Sequence, residues 1–205
     1  MAYLSEEEKD QLIEVINIGV GNASTALSQM VNEQVTLSVP EMYAGPVENA
    51  LDFIGESEQV QTAVLFTVSG DIDGMMFLIF SSEDALKLVQ LVSKQYNQEK
   101  SITKGSNESA LKEIGNVLLG PALGALSHFL DAHIVQSVPE LASDMLDSVI
   151  DEALSEVLKS SKAAMIFKTE FSVKSKDISG HFFFLFEPKA TDEILKMIKE
   201  KYTTS

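Results

Sequence analysis

Apolar residues recur at helical spacing along two long segments of this chain. Leu12, Ile16, Val20, Ala23, Leu27 and Met30 form one series at steps of three and four, and Leu111, Leu118, Ala122 and Phe129 a second at steps of seven and four, which return to the same side of a helix. At 100° per residue, each series makes a stripe down one side of an α-helix. A capping box, Ser5 with Glu8 three residues on, predicts the start of the first helix, and the second is expected to start near Ser106 or Asn107. Elsewhere the pattern shortens. "VTLSV" and "HIVQSV" read as strands that end at Pro40 and Pro139. "AVLFTVSGDIDGMMFLIF" and "MIFKTEFSVKSKDISGHFFFLF" read as strand pairs joined by tight turns, with Gly74 and Gly180 as turn glycines where each second strand begins. Short acidic helices are expected around 47–54 and 143–158, and "SSEDALKLVQLV" and "ATDEILKMIKEKY" as closing helices.

These elements come in one order, twice. Setting residue n against n+99 superimposes Glu14 on Glu113, Asn17 on Asn116, Gly21 on Gly120, Ala26 on Ala125 and Pro40 on Pro139 without a gap. Further on, the offset grows to 106, with "DGMMFLIF" over "SGHFFFLF". The expectation is an α+β fold with an internal pseudo-twofold duplication. It would hold a six-stranded, mainly antiparallel sheet and two long helices that expose paired sites. One domain spans 1–205, with repeat 1 at about 1–97 and repeat 2 at about 106–205. The segment 97–108 is a polar connector without the low complexity of an interdomain linker, so the halves are expected to share one sheet.

Each long helix carries a second stripe. With Asp10 at zero on a helical wheel, Glu14 lies at about 40°, Asn17 at about −20° and Gly21 at about 20°. The row sits roughly 130° from the apolar stripe and faces solvent. Ser109, Glu113, Asn116 and Gly120 repeat it at the same angles. A solvent-facing glycine inside a helix costs about 1 kcal/mol relative to alanine, and close approach of another surface is one use for that cost. On a single helix such a row is ordinary surface. With each residue type near 5%, Glu-x-x-Asn-x22-Pro arises at a given start with a probability on the order of 10⁻⁴, so two chance matches in one chain are not expected.

Composition narrows the chemistry. Lys+Arg 15 against Asp+Glu 31 gives a net charge of −16, which argues against nucleic acid or an anionic membrane as partner. Such a surface repels phosphate unless a cation or a basic partner supplies countercharge. The absence of cysteine rules out a disulfide framework, a thiolate zinc site and a cysteine nucleophile, and fits a reducing cytoplasm. No signal peptide is expected at "MAYLSEEEKDQ", and no apolar run approaches the ~18 residues of a membrane span. His128, His133 and His181 have no metal-site spacing, so no metal is expected. The glycines of "GVGN" and "GNVLLG" lie inside helices, which argues against a nucleotide cradle. Asp144, Asp147, Asp151, Glu152 and Glu156 read as a solvated helix face, beside an apolar band of Met145, Leu146, Val149, Ile150 and Leu154. Pro121 falls inside the second long helix, five residues past Asn116, and is expected to disturb it, where the first helix has Asn22.

Asp10-x3-Glu14-x2-Asn17-x22-Pro40 and Ser109-x3-Glu113-x2-Asn116-x22-Pro139 resemble the motif of the CheC/CheX/FliY phosphatases of chemotaxis, and the resemblance covers essentially the whole chain. Two intact motifs resemble the CheC type. The CheX type carries one, and FliY adds a C-terminal domain. The resemblance implies hydrolysis of the aspartyl phosphate of the phosphorylated response regulator CheY. Asn17 and Asn116 would orient the attacking water, and Glu14 and Glu113 would pair with a lysine of the receiver. Asp10 and Ser109 would support the docking, with Gly21 and Gly120 giving room for it. Pro40 and Pro139 would be structural. Mg²⁺ would belong to the CheY substrate, with no cofactor held by this chain. The band near 145–154 resembles the family surface that binds the deamidase CheD. The alternative is a non-catalytic adaptor for CheD or phosphorylated CheY. A structural part of the flagellar switch is disfavoured by the acidity. A cytoplasmic monomer is expected, since the repeat already supplies the symmetry that a one-site relative gains by dimerising.

Overall fold

A computed structural model describes residues 4–55, 60–95, 104–157, 163–186 and 188–203; of the expected connector, 97–103 lie outside the described residues. The first half runs α1 (Glu6–Val31), β1 (Thr36–Leu37), β2 (Glu41–Pro46), α2 (Ala50–Ile54), β3 (Val60–Gly70), β4 (Gly74–Ser81) and α3 (Ser82–Gln95). The second runs α4 (Lys104–Leu130), β5 (Ile134–Gln136), β6 (Glu140–Met145), α5 (Leu146–Val157), β7 (Ala163–Val173), β8 (Ile178–Phe186) and α6 (Pro188–Thr203). Short 3-10 turns, Val47–Asn49 and Lys174–Lys176, precede α2 and β8.

The eight strands among the described residues join one sheet, and every pairing between them is antiparallel. The six strands expected from the sequence become eight because each outer column is broken in two. β1 and β2 both lie along β7, and β5 and β6 both lie along β3, giving the order β1/β2, β7, β8, β4, β3, β5/β6. The outer columns are exchanged: the first half's edge strands pair with the second half's β7, and the reverse holds at β3.

The register is symmetric. Taking β1–β2 onto β5–β6 at 99 positions, β3 onto β7 at 103 and β4 onto β8 at 106 carries Thr36↔Ser172 onto Ser69↔Val135 and Glu41↔Lys168 onto Leu65↔Glu140. The central β4–β8 pairing maps onto itself, with Gly74↔Phe186 exchanging with Phe80↔Gly180 about Phe77↔Phe183. At that centre the two rings stack, 5.0 Å between centroids. β4 and β8 are apolar nearly throughout, as strands covered on both faces must be.

Gly74 and Gly180 are not turn glycines. Neither has positive φ; instead, a Cβ would lie 2.5 Å from Leu185 O at Gly74 and 2.7 Å from Ile79 O at Gly180. They allow the two central strands to approach. The glycine that the β3–β4 turn does require is Gly70, with φ 125° and a Cβ position 2.2 Å from His133 O.

Helices cover both faces. α1, α3, α4 and α6 pack on one face over Phe66, Met76, Leu78, Phe182 and Phe184. On the other, α2 and α5 pack over Phe77, Ile79, Ile166, Phe183 and Leu185. This corrects the apolar band of the 143–158 segment. The helix there starts at Leu146, and Leu146, Val149 and Ile150 are core side chains, leaving Met145 exposed. The side chains of Asp147, Glu152, Leu154 and Glu156 lie outside the described residues.

Candidate functional site

α1 starts as its sequence dictates. Ser5 Oγ accepts the Glu8 N–H at 3.2 Å, and Glu8 Oε2 accepts the Ser5 N–H at 3.0 Å. That backbone bond, then Lys199 at 3.1 Å from α6, hold the Glu8 carboxyl below the usual range. Glu6, Glu7 and Glu8 put negative charge in the first turn, where the helix dipole favours it. The expected stripe of Leu12, Ile16, Val20, Ala23, Leu27 and Met30 is buried throughout. α4 begins at Lys104, two or three residues earlier than expected, and is a single helix of 27 residues through Pro121. Proline removes one backbone hydrogen bond there without ending the helix. α1 and α4 pack directly on each other. A Cβ at Gly19 would lie 3.0 Å from Ala122 O, which marks their close approach.

The rows face outward on both helices. Asp10, Glu14 and Gly21 are exposed on α1, and Asn17 is half-buried; Ser109 and Glu113 are exposed on α4, and Asn116 and Gly120 are half-buried. A Cβ at Gly21 or Gly120 would meet nothing within 4 Å. Neither glycine serves the packing of this chain, so space above the helix is what they leave. Ser109 Oγ is turned back onto Gly105 O at 3.0 Å. The halves differ at the amides. Asn116 Oδ1 accepts a hydrogen bond from Gln136 Nε2 at 3.5 Å, whereas the Asn17 carboxamide has no hydrogen-bond partner among the described residues.

Pro40 and Pro139 do not end a strand; they sit within a bulge. Between Leu37↔Phe171 and Glu41↔Lys168, three residues face two, and the same excess recurs between Gln136↔Val68 and Glu140↔Leu65. The sequence there is Ser-Val-Pro both times. Ser38 Oγ accepts the Glu170 N–H at 2.9 Å, and Ser137 Oγ accepts the Thr67 N–H at 3.0 Å, so each serine mends the ladder that the bulge interrupts. Proline has no N–H to leave unpaired at such a position. The valine between is thrown outward: Val39 is 66% exposed and Val138 is 81% exposed. Val138 lies two residues beyond Gln136, whose side chain reaches Asn116. Sequence reasoning did not single out Ser38, Ser137, Val39, Val138 or Gln136; the shared "SVPE" tetrapeptide was the signal available for the first four.

His128 and His133 are exposed, and His181 is half-buried on β8, where burial and then the charge of Lys168 push it below the ordinary histidine value. Among the described residues no group of three or more His, Asp or Glu is placed to hold a metal ion. No helix among them is long and apolar enough to cross a membrane.

Residues 7–43, from the start of α1 through Pro40 into β2, match the CheC-like family. Over 186 residues, 89% of either chain, the sequence is 29% identical to the CheY-P phosphatase CheC of Bacillus subtilis. The chain is thus similar to CheC-type chemotaxis proteins over most of its length. Its fold is that of Thermotoga maritima FliY, with a TM-score of 0.77 at 19% identity over 98% of this chain and 100% of that one. A chain from the CheX–CheY–BeF3–Mg complex of Borrelia burgdorferi aligns with this chain at a TM-score of 0.58 and 17% identity, covering 85% of it and 97% of the other.

Proposed function

We propose that this protein hydrolyses the aspartyl phosphate of a phosphorylated CheY-type receiver, with one site on α1 and one on α4. The observation that carries the reading is the Glu-Asn-Gly row, which occupies equivalent outward positions on both long helices and whose glycines serve no packing within the chain. The B. subtilis relative, which aligns over most of both chains, is named for this activity. The twofold arrangement would place two copies of one duplicated unit, and so two receivers, on a single monomer.

An acyl phosphate is already activated, so what remains is to place a water and stabilise charge. Docking would pair Glu14 or Glu113 with a lysine of the receiver, and Asp10 or Ser109 would support the contact. Gly21 or Gly120 lets the receiver approach the helix backbone, and Val39 or Val138 adds an apolar rim. Asn17 or Asn116 then reaches the phosphoryl group and orients a water in line with the bond to be broken. The water oxygen bonds phosphorus as the bond to the aspartyl oxygen breaks. Aspartate leaves as carboxylate, and the water's proton leaves with the phosphate and solvent. An amide suits this role because it binds water without bringing negative charge into the field of the phosphoryl oxygens. In this scheme Mg²⁺ and the lysine both come with the receiver, which offsets a chain at −16. CheD is proposed as a second partner on the family resemblance alone. The buried side chains of α5 cannot be its docking band, which leaves the exposed Met145, Asp144 and Asp151.

The test is loss of phosphate from a phosphorylated CheY-type receiver with Mg²⁺, using wild type, Asn17→Ala, Asn116→Ala and the double variant. Acceleration by wild type and a spontaneous rate in the double variant is the expected result. If the double variant still accelerates the loss, the amides are not the catalytic groups. If wild type does nothing, the rows are a docking surface and the chain an adaptor.

A further inference from the structure

Besides Asp10 against Ser109 within the rows, the strands beside the two amides differ at an equivalent position. Gln136 and Leu37 hold equivalent places in β5 and β1, facing Val68 and Phe171, which are themselves equivalent. Leu37 packs against the core. Gln136 instead turns its amide to Asn116, and its Oε1 is buried with no hydrogen-bond partner among the described residues. A buried carbonyl oxygen without a partner is a cost that leucine avoids. The glutamine is therefore not there for packing alone.

We infer that Gln136 is a positioning residue for Asn116 and that it makes the α4 site the faster of the two. The inference rests on the phosphatase reading above. An asparagine on an open helix face samples several rotamers, and only one aligns a water with the phosphorus. The Oδ1 of Asn116 has two lone pairs. Gln136 Nε2 occupies one and sets the plane of the carboxamide, leaving the other to accept from the attacking water. At 3.5 Å the bond is long, so it orients the amide without locking it. Asn17 has to find its orientation during each encounter. Such preorganisation raises the share of docked complexes that react, and so acts on kcat rather than on docking.

The experiment is steady-state dephosphorylation of a phosphorylated CheY-type receiver with Mg²⁺ by the full chain. Asn17→Ala reports the α4 site, and Asn116→Ala the α1 site. Asn17→Ala is expected to keep the larger kcat. Adding Gln136→Leu to it should lower kcat by about three- to tenfold at unchanged KM. Leu37→Gln in the Asn116→Ala background should raise kcat. NMR relaxation of the side-chain amides gives a readout without turnover: Asn116 should be more ordered than Asn17 in the free protein, and Gln136→Leu should release it. The inference is overturned if Gln136→Leu leaves kcat unchanged or alters only KM, or if Asn17→Ala is the less active single variant. An inactive wild type would take down the phosphatase reading and this inference together, whereas an active wild type with an indifferent Gln136 takes down the inference alone.

Discussion

Helical glycines in this chain have opposite jobs that residue type alone does not separate. Gly115 faces the sheet, where a Cβ would lie 2.9 Å from both Phe66 Cζ and Val64 Cγ1, two buried side chains. Gly21 and Gly120 face open space. Gly21→Ala and Gly120→Ala should each stabilise the fold by about 0.5–1 kcal/mol, the helix-propensity difference, read as a higher urea midpoint. Gly115→Ala should destabilise it by on the order of 1–2 kcal/mol, because crowding of the core outweighs that same gain. If Gly21 and Gly120 serve docking, their alanine variants will be more stable and yet show a raised KM for the phosphorylated receiver. Unchanged KM in both would remove close approach as their reason. At this scale the outward row was legible because it is written twice at helical spacing. Gln136 was not legible for the converse reason: comparing the halves finds what they share, and Gln136 matters where they differ, opposite Leu37.

Among the elements, the long helices were readable from periodicity and the outer strands were not. α1 shows its buried stripe at intervals of three and four, and its start at Ser5 and Glu8 follows from side-chain capping. The sequence pattern marks no element at β2 and places the end of β6 within the helix expected at 143–158, because both are half-exposed edge strands: of β2 only Gly45 is buried, and β6 has no buried residue. The bulge deepens the problem, since one extra residue shifts the alternation that marks a strand. It also explains why Pro40 and Pro139 looked like strand ends. The intermediate offset of 103 for β3 and β7 was hidden between the more obvious 99 and 106 for the same reason, weak alternation in what lies between. The bulges depend on the hydroxyls of Ser38 and Ser137. Ser38→Ala and Ser137→Ala should each cost about 0.5–1.5 kcal/mol in chemical denaturation, with threonine a better replacement than alanine. If alanine is neutral at both positions, water replaces the hydroxyl and the serines do not hold the ladder.

For the whole molecule, the exchange of edge strands decides what can fold. Cut between the halves, residues 1–97 would keep the β3–β4 hairpin but lose every other strand pairing seen among the described residues: β1 and β2 lose β7, β4 loses β8, and β3 loses β5 and β6. α1 would also lose α4, its main helical neighbour. A half-chain of this kind has too much apolar surface left over to stand alone, since Phe77 and the α1 stripe would both be uncovered. The symmetric register offers it one way out. Because β4 meets β8 about the Phe77↔Phe183 centre, β4 of one fragment can meet β4 of a second copy about Phe77, with the edge strands exchanged between copies as they are between halves. Residues 1–97 expressed alone should therefore be unfolded or dimeric, and mixing them with residues 98–205 should restore a folded one-to-one complex. Light scattering on a sizing column, with circular dichroism on the eluted peak, distinguishes these states. A folded monomer of either fragment would show that each half holds its own core, and that the shared sheet joins two units already complete.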